Sequence, residues 1–194
     1  MSRKLILDLD TGIDDALALA YALGSEDAEL IGVTCTFGNV TVPQSVRNTL
    51  AILQLFGCTD VPVFAGPDHA RAKDSFSVQE ISAFIHGKNG IGEVEIPDAT
   101  RGVEDTSAVE FLIDSVNAYG DDLVVVPTGP STTIAAAVEA SEDFRKKAHI
   151  VMMGGALTVP GNVTAWSEAN INQDPEATDL VFRSMQDVTM IGLD

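Results

Sequence analysis

Stretches of apolar residues alternate along this chain with amphipathic stretches, and glycines mark several of the boundaries. The apolar stretches predict six strands, at residues 4–10, 29–37, 61–65, 123–128, 149–153 and 188–193. These strands are apolar throughout instead of alternating, which is typical of strands covered on both faces. The amphipathic stretches predict helices at 13–23, 43–56, 107–119, 131–147 and 175–186. This order predicts an α/β fold, with an open, mostly parallel sheet of about six strands and helices on both faces.

One connection stands out by its length. Residues 66–106 contain little that suggests regular structure, apart from a short helix that the pattern allows at 77–85. So long a connection is usually functional, and we expect a mobile lid; the alternative is a disordered surface excursion. No linker or repeat interrupts the pattern, and 194 residues suffice for one domain with a core. We therefore expect a single α/β domain over residues 1–194.

The charge balance narrows the choice of partners. The chain has 29 acidic residues against 11 Lys and Arg, a formal net charge of −18. This charge argues against a nucleic acid or an anionic membrane as partner, and it is compatible with a bound cation. No apolar run approaches the roughly 20 residues of a membrane span, and we expect no signal peptide. With only two cysteines, Cys35 and Cys58, we expect no disulfide framework and a cytoplasmic location.

Polar residues and glycines gather where the predicted strands end. The first strand ends in Asp8 and Asp10, and the second is followed by Gly38-Asn39. The fourth ends in PTGPST (127–132) and the fifth in MMGGA (152–156). Ligands of open parallel α/β sheets bind beyond the carboxyl ends of the strands. The convergence of these segments predicts a site at that edge.

The first of these strand ends carries four carboxylates within eight positions, those of Asp8, Asp10, Asp14 and Asp15. Asp14 and Asp15 fall in the first turn of a predicted helix, whose positive end offsets part of their repulsion. Asp8 and Asp10 are two apart on a strand and should share a face. A bound cation is the simplest way to keep them ionised together, and oxygen ligands favour Ca²⁺ or Mg²⁺. The alternative is an acidic turn satisfied by hydrogen bonds alone.

Three known patterns compete for this segment. An EF-hand loop starting at Asp8 would need Gly and Glu where Ile13 and Leu19 stand. A dinucleotide fingerprint needs three glycines, and only Gly12 is present. The haloacid-dehalogenase phosphatase pattern places D-x-D at a strand end, with Asp8 as nucleophile. Its threonine is replaced by Gly12 and no convincing partner lysine follows, so it is the runner-up among enzymes.

The segment DLDTGIDDALAL (8–19) resembles the opening motif of the nucleoside hydrolases of the inosine-uridine type. The resemblance continues in order along the chain, through GVTCTFGNV (32–40), VFAGPDHA (63–70), FIHGKNGIG (84–92), LVVVPTGPSTTIAAA (123–137), IVMMGGA (150–156) and GNVTAWSEANINQDPEA (161–177). It implies calcium-dependent hydrolysis of ribonucleosides to ribose and free base, as part of purine and pyrimidine salvage. It also implies a homo-oligomer, and the base preference stays open.

The resemblance also assigns roles at the site. Asp10 would be a metal ligand and the base that takes a proton from water, and Asp15 and the backbone carbonyl of Thr128 would be further ligands of Ca²⁺. Asp8 would support these ligands by hydrogen bonds. The ribose site would consist of Asp14, Asn39, Met153, Asn162, Glu168 and Asn170. His86 would contact the base or leaving group.

Each assignment has an alternative that needs no ligand. Asn39 and Asn162 could be turn residues, and Glu168 with Asn170 could form a solvated loop. Met153 could belong to the core. His86 could be an ordinary surface residue.

The chain departs from the family pattern in two ways. Thr11 stands where proline is usual, and PSTT (130–133) replaces a Pro-Leu-Thr-Asn-like stretch. Family members are also typically longer, so we expect the C-terminal portion of the family fold to be missing, with its His-Asp pair. The alternative function is therefore an inactive, truncated ribose-binding or interaction module.

Overall fold

The computed structural model describes residues 2–194, which form one six-stranded sheet with helices packed against it. The strands are β1 (Arg3–Leu9), β2 (Ala28–Cys35), β3 (Val63–Ala65), β4 (Leu123–Pro127), β5 (His149–Met153) and β6 (Val188–Ile191). Their order across the sheet is β3-β2-β1-β4-β5-β6, and every neighbouring pair is parallel. The predicted α/β class and the six predicted strands are confirmed.

Eight helices connect these strands within the described residues. They are α1 (Ile13–Gly24), α2 (Val42–Leu55), α3 (Glu80–His86), α4 (Ala108–Tyr119), α5 (Thr132–Ala140), α6 (Glu142–Lys147), α7 (Ala169–Gln173) and α8 (Pro175–Ser184). A short 3₁₀ turn, Gly120–Asp122, leads into β4. None of the helices in residues 2–194 combines the length and the apolar character that a membrane crossing requires.

The sheet separates two apolar layers because alternate side chains of a strand point to opposite faces. Ile6 of β1 packs with α4, α5, α6 and α8, in a cluster that includes Leu112 and Ile134. Its neighbour Leu7 packs on the other face with α1 and α2, in a cluster that includes Leu19 and Leu53. Both faces of the central strands are therefore covered, which explains why their sequences are apolar throughout.

The prediction of a single helix over 131–147 is wrong, because Ser141 divides it into α5 and α6. Ser141 is extended, with φ −141° and ψ 120°. Its backbone N–H donates to Ala137 O at the end of α5, and its Oγ accepts from the Phe144 N–H at 3.1 Å. Serine competes well for such capping positions, so one residue ends one helix and begins the next.

The sequence pattern also missed α7, a single turn in the segment before α8. The predicted start of α8 is confirmed, with Pro175 in the first turn and the Asp174 carboxylate accepting from Ala177 N at 3.0 Å. Asp174 is fully buried and also accepts from Thr132 Oγ1 at 2.6 Å and from Arg71 N at 3.0 Å. It therefore fixes the start of α8 against α5 and the segment after β3.

The connection over 66–106 contains one helix, α3, close to the short helix allowed at 77–85. The rest consists of turns, but it is not a detached excursion. Ile91 is buried in the core cluster beside α1 and α2, and Ala70 is buried against Phe37. The disordered-excursion alternative is therefore wrong, while mobility of this connection stays a prediction.

Candidate functional site

The candidate site lies where the strand order reverses, between the neighbouring strands β1 and β4. The connections that follow these two strands run to opposite faces of the sheet, and this opens a crevice at the carboxyl ends of the strands. Asp10 follows β1 and Thr128 follows β4. Thr128 N donates to Asp8 O at 2.9 Å, and Thr128 Oγ1 donates to the Asp15 carboxylate at 2.6 Å. Two predicted metal ligands, Asp15 and Thr128, are thus in direct contact.

Asp10 is held by one of its oxygens only. The side chain is 1% exposed, and its Oδ2 accepts from the Asn39 N–H at 2.6 Å. Its Oδ1 is buried and has no hydrogen-bond partner within residues 2–194. A buried carboxylate oxygen without a partner is costly, and it marks a place where a ligand could supply the missing interaction.

Asp15 lies beside it in the first turn of α1 and is 2% exposed. One oxygen accepts from Gly12 N at 2.7 Å, and the other from the Thr128 hydroxyl. The Gly12 bond caps the N-terminus of α1, whose dipole also favours a negative charge there. The predicted first-turn position of Asp15 is therefore confirmed.

Burial makes this cluster resist ionisation. It raises the pKa of Asp10 well above its usual range, and the nearby Asp15 carboxylate raises it further. Burial and the charge of Asp14 likewise raise the pKa of Asp15. Burial also raises the pKa of Asp8 to about 7, although a hydrogen bond from the Thr34 hydroxyl opposes the shift. A positive charge bound between these carboxylates would reverse all of these shifts.

Asp8 lies behind this pair, on β1, with no exposed surface. Its Oδ1 accepts from Thr34 Oγ1 at 2.6 Å, and its Oδ2 has no partner within the described chain. A side chain in this position is suited to supporting the end of the neighbouring strand. It is not suited to contacting a ligand directly. Together, residues 8–15 form what we call the acidic turn.

His86 closes the acidic turn from the opposite side. It ends α3 and is only 9% exposed, so the surface alternative for this residue is wrong. Its Nδ1 accepts from the Ile13 N–H at 3.2 Å and lies 3.6 Å from the Asp14 carboxylate. Asp14 itself is 73% exposed in its side chain. Of the four acidic residues, Asp14 alone faces outward, where it can contact a ligand and His86 together.

The other side of the site is formed by Glu168 and Asn170, both buried. Glu168 caps α7 by accepting from Asn170 N and Ile171 N, and it also accepts from Gly155 N at 3.0 Å. Asn170 Nδ2 donates to the Thr128 carbonyl at 2.8 Å and to the Met153 carbonyl at 3.1 Å. The solvated-loop alternative for Glu168 and Asn170 is therefore wrong. Asn170 instead joins α7 to the ends of β4 and β5.

Asn39 and Asn162 line one cavity of about 450 Å³. The remaining walls come from α3 and α7, with Ile81, Ile85 and Ala169 among them. Asn39 is half-buried, whereas Asn162 is exposed and accepts from Ala169 N at 2.9 Å through its Oδ1. The cavity brings these two predicted ribose residues together, and the backbone N–H of Asn39 is bonded to Asp10.

Glycines pack around Asp10 more closely than the sequence alone indicated. A Cβ at Gly38 would lie 2.1 Å from Asp10 Oδ2, and one at Gly129 would lie 3.1 Å from Asp10 Oδ1. A Cβ at Gly12 would lie 2.5 Å from His86 Nδ1. These positions need glycine because a side chain would fill the space around the carboxylate. The signal for these glycines in the sequence was their position directly after the strands.

Comparison with known proteins decides the family. The family model for the inosine-uridine preferring nucleoside hydrolase matches residues 5–194. The chain belongs to this family. Its match covers nearly every residue that the structure describes, including the acidic turn and α7.

Individual relatives agree with this assignment. The chain is 38% identical to uridine nucleosidase 1 of Arabidopsis thaliana over 192 residues, 98% of this chain and 56% of that protein. It is 35% identical to the pyrimidine-specific ribonucleoside hydrolase RihA of Escherichia fergusonii, over 100% of this chain and 61% of that protein. A solved structure, the purine-preferring ribonucleoside hydrolase from Gardnerella vaginalis, superposes with a TM-score of 0.97 at 62% identity, over 98% of this chain and 61% of that one. The chain thus spans about three fifths of the length of the relatives it matches.

Membership of the nucleoside hydrolase family removes the phosphatase interpretation. That interpretation made Asp8 the nucleophile, but Asp8 is fully buried and bonded to Thr34. A nucleophile must reach its substrate, and a side chain with no exposed surface does not.

The donor set of this member of the nucleoside hydrolase family fits a hard cation. Asp10 and Asp15 offer carboxylate oxygens, and the Thr128 carbonyl keeps one lone pair beside the bond from Asn170. Residues 2–194 contain no cluster of three His, Cys, Asp or Glu side chains suited to a metal. The predicted set needs only two such side chains. A Ca²⁺ ion takes six to eight oxygens, so these three residues would leave coordination positions to other ligands.

Proposed function

We propose that this protein hydrolyses the N-glycosidic bond of ribonucleosides, releasing ribose and free base. Family membership supports the reaction class. The single observation that carries the proposal is the buried, unpartnered Oδ1 of Asp10, next to Asp15 and beside the cavity of Asn39. No other acidic side chain of the described chain combines these three properties.

Asp10 acts as the base in this proposal. Its Oδ2 is held by the Asn39 N–H, so Oδ1 is the oxygen that accepts a proton from the attacking water. Burial raises the pKa of Asp10, and a bound cation would oppose this shift and keep the carboxylate ionised, which is the form that accepts the proton. The neighbouring Asp15 carboxylate stabilises the positive ribosyl centre that develops as the C–N bond breaks.

Calcium is the proposed metal, held by Asp10, Asp15 and the Thr128 carbonyl. When bound, Ca²⁺ would keep the paired carboxylates ionised and acidify water at the site. The protein contributes the rigidity of the ligands. Asp15 is fixed by Gly12 and by the Thr128 hydroxyl, and the Thr128 carbonyl is fixed by Asn170.

Ribose recognition is proposed for residues on both sides of the acidic turn. Asp14 and Asn39 would bind ribose hydroxyls from one side, and Asn162, Glu168 and Asn170 from the other, with Met153 packing against the sugar. Support comes from the shared cavity of Asn39 and Asn162 and from the bonds of Asn170 to Met153. Glu168 uses both oxygens to cap α7; Oε2 accepts from Ile171 N and Gly155 N, whereas Oε1 accepts from Asn170 N alone and keeps a lone pair for a hydroxyl.

His86 is the proposed contact to the leaving base. Because Nδ1 accepts the Ile13 N–H, the proton of the neutral ring lies on Nε2. Nε2–H can therefore donate to a nitrogen of the departing base. The Asp14 carboxylate lies 3.6 Å from Nδ1, beside the same ring.

The substrate class covers purine and pyrimidine nucleosides, in a salvage role. Relatives named for pyrimidine specificity and for purine preference both match this chain, so the proposal includes both bases. The free cysteines Cys35 and Cys58 suit a reducing compartment, which supports a cytoplasmic location. We also propose a homo-oligomer, since exposed apolar residues such as Leu17 and Tyr21 of α1 offer a surface for a second copy.

Ribose release from inosine and uridine tests the proposal, with Ca²⁺ and then with a chelator. We expect chelator-sensitive release, reduced about 10²- to 10⁴-fold by Asp10→Asn because the general base is lost. The matched control is Asp60→Asn at an exposed turn, which should leave the rate unchanged. Calorimetric titration with Ca²⁺ gives a second readout, and Asp10→Asn should weaken binding there too.

The competing function is a ribose-binding module without catalysis. The cavity between α3 and α7 favours it, because sugar binding needs the cavity but not a proton acceptor. Folded protein that binds ribose but releases none from either nucleoside, at the level of Asp10→Asn, would replace the hydrolase proposal by this one.

A further inference from the structure

A buried amide side chain joins the acidic turn to the long connection above it. Asn48 lies on α2 and has no exposed surface. Its Nδ2 donates to the Thr11 carbonyl at 3.3 Å and to the Asn89 carbonyl at 2.8 Å, while its Oδ1 accepts from Gln44 at 2.8 Å. Both protons of one amide therefore hold two segments that are 78 positions apart along the chain, at residues 11 and 89.

On one side, this amide belongs to a polar network under the acidic turn. The Thr11 hydroxyl lies 3.0 Å from Ser45 Oγ and 2.7 Å from Thr49 Oγ1. Ser45 Oγ also donates to the Leu9 carbonyl at 3.0 Å. Thr11 has no ring that fixes its φ angle, so hydrogen bonds from α2 hold the peptide after Asp10.

On the other side, the amide holds a compact loop at residues 86–94, which we call the lid loop. Asn89 Oδ1 accepts from Glu93 N at 2.9 Å, and Gly92 N donates to His86 O at 2.7 Å. These bonds make the lid loop a unit. A displacement of the Asn89 carbonyl would therefore move His86 as well.

The packing at this junction leaves no room for adjustment. Gly90 has φ +81°, and a Cβ there would lie 2.5 Å from Val40 Cγ1 and 3.0 Å from Asn48 Nδ2. The backbone of the lid loop thus touches the amide that also holds the acidic turn. The junction is buried as well as tight, since Gly90, Asn48 and Thr11 are all buried.

We propose that Asn48 is a positioning residue that couples the lid loop to the acidic turn and so sets the place of His86 relative to Asp10. The coupling itself rests on the hydrogen bonds above, and its catalytic consequence rests on the proposed function. Loss of the amide frees both segments together, because no backbone hydrogen bond of a helix or strand holds either carbonyl at this point.

Amide hydrogen exchange of Asn48→Leu tests the coupling without reference to activity. We expect exchange to quicken about tenfold in the peptides covering both 10–16 and 86–94, since two buried hydrogen bonds are lost. The matched control is Gln54→Leu. Gln54 also lies on α2 and holds the same long connection, but at Thr100, whose N and Oγ1 donate to it at 2.8 and 3.0 Å. It should quicken exchange near Thr100 only.

The Gly90→Ala variant tests the same coupling from the lid loop. It does not remove a buried polar group. It should also quicken exchange in both segments. The proposal would be overturned if, in the folded variants, hydrogen exchange became faster in only one of the two segments or in neither. Should Asn48→Leu fail to fold, Gly90→Ala decides alone.

Kinetic measurements on the same variants separate this inference from the proposed function. If the wild type releases ribose, Asn48→Leu should lower kcat about 10- to 100-fold while Gln54→Leu leaves it unchanged, because misplacement by about 1 Å costs that much. An unchanged kcat in a folded Asn48→Leu would overturn the positioning role. If the wild type releases none, the proposed function fails, and hydrogen exchange alone decides whether Asn48 couples the segments.

Discussion

At the scale of single residues, a few amide groups determine where the oxygens of the site lie. Asn170 is the clearest case, because its Nδ2 donates to carbonyls at the ends of two strands, those of Thr128 and Met153. The residue is 7% exposed, so water does not compete for these bonds. A single side chain thus orients one proposed metal ligand and ties α7 to the sheet.

We expect Asn170→Leu to lower the free energy of unfolding by about 1–3 kcal/mol, because the Thr128 and Met153 carbonyls, both partly buried, lose their donor in an otherwise similar volume. Urea unfolding of the protein with a chelator present measures this loss. Asn172→Leu, on the same helix beside the cavity of Phe37, is the control and should stay within about 0.5 kcal/mol. Equal losses in the two variants would contradict the role of Asn170.

The residue scale also shows what the sequence could reveal of the site. Asp10, Asp15 and Thr128 were predicted to meet because each follows a strand end, and parallel strands end at one edge. The burial of Glu168 and His86 was not predictable, because each is covered by a segment distant in the sequence. Asn48 was missed since a polar residue in an amphipathic helix normally indicates an exposed face.

At the scale of elements, the beginnings of the strands have their own ion pairs, on the edge of the sheet away from the site. His149 starts β5 and contacts Asp187, just before β6, and its Nε2 lies 3.3 Å from Asp121 in the 3₁₀ turn before β4. The hydrogen bond with Asp187, aided by the bond with Asp121, raises the pKa of His149 above its ordinary 6.5. One imidazole therefore links the starts of three strands.

These pairs predict a pH dependence of stability. A pKa raised by folding stabilises the native state fully below the unfolded pKa of His149, and this contribution disappears as pH rises through the higher folded pKa. The unfolding free energies of wild type and His149→Gln should therefore differ most near about pH 5.5 and converge by about pH 8.5. Asp187→Asn should remove most of this pH-dependent part. A difference that is the same at both pH values would refute the assignment.

The boundaries of the strands and helices show which features the sequence pattern can predict. The strands and the long helices were predictable because their apolar periodicity is strong and uninterrupted. The break at Ser141 was not, since serine is tolerated inside helices and only the bond to Phe144 N makes it a cap. The single turn of α7 depends on Glu168, whose capping role appears only when the chain folds back on β5.

At the scale of the whole molecule, charge is the dominant feature. A net charge of −18 on 194 residues means that the folded chain repels itself. Only a few of the carboxylates are matched by Lys or Arg, as in the pairs Arg71–Glu139 and Lys4–Glu29. The acidic turn adds buried like charges to this surface excess.

We therefore expect the urea midpoint of unfolding to rise with NaCl, from about 0.01 M to about 0.15 M, as the Debye length falls from about 30 Å to about 8 Å. A chelator keeps divalent ions from contributing, and KCl should act as NaCl does because screening is not ion-specific. A midpoint that falls with salt would mean that attractive pairs outweigh the general repulsion.

The sequence by itself determined the α/β class, the order of the strands and the longest helices, the family and the strand ends that supply the acidic turn. These follow from local periodicity and from motifs whose residues are neighbours along the chain. Only the tertiary structure decided which carboxylate oxygen is unpartnered, that His86 and Glu168 are buried, and that Asn48 joins the acidic turn to the lid loop. The physical reason is that burial and hydrogen bonding depend on segments brought together from distant parts of the chain, and a residue's own neighbours do not specify them.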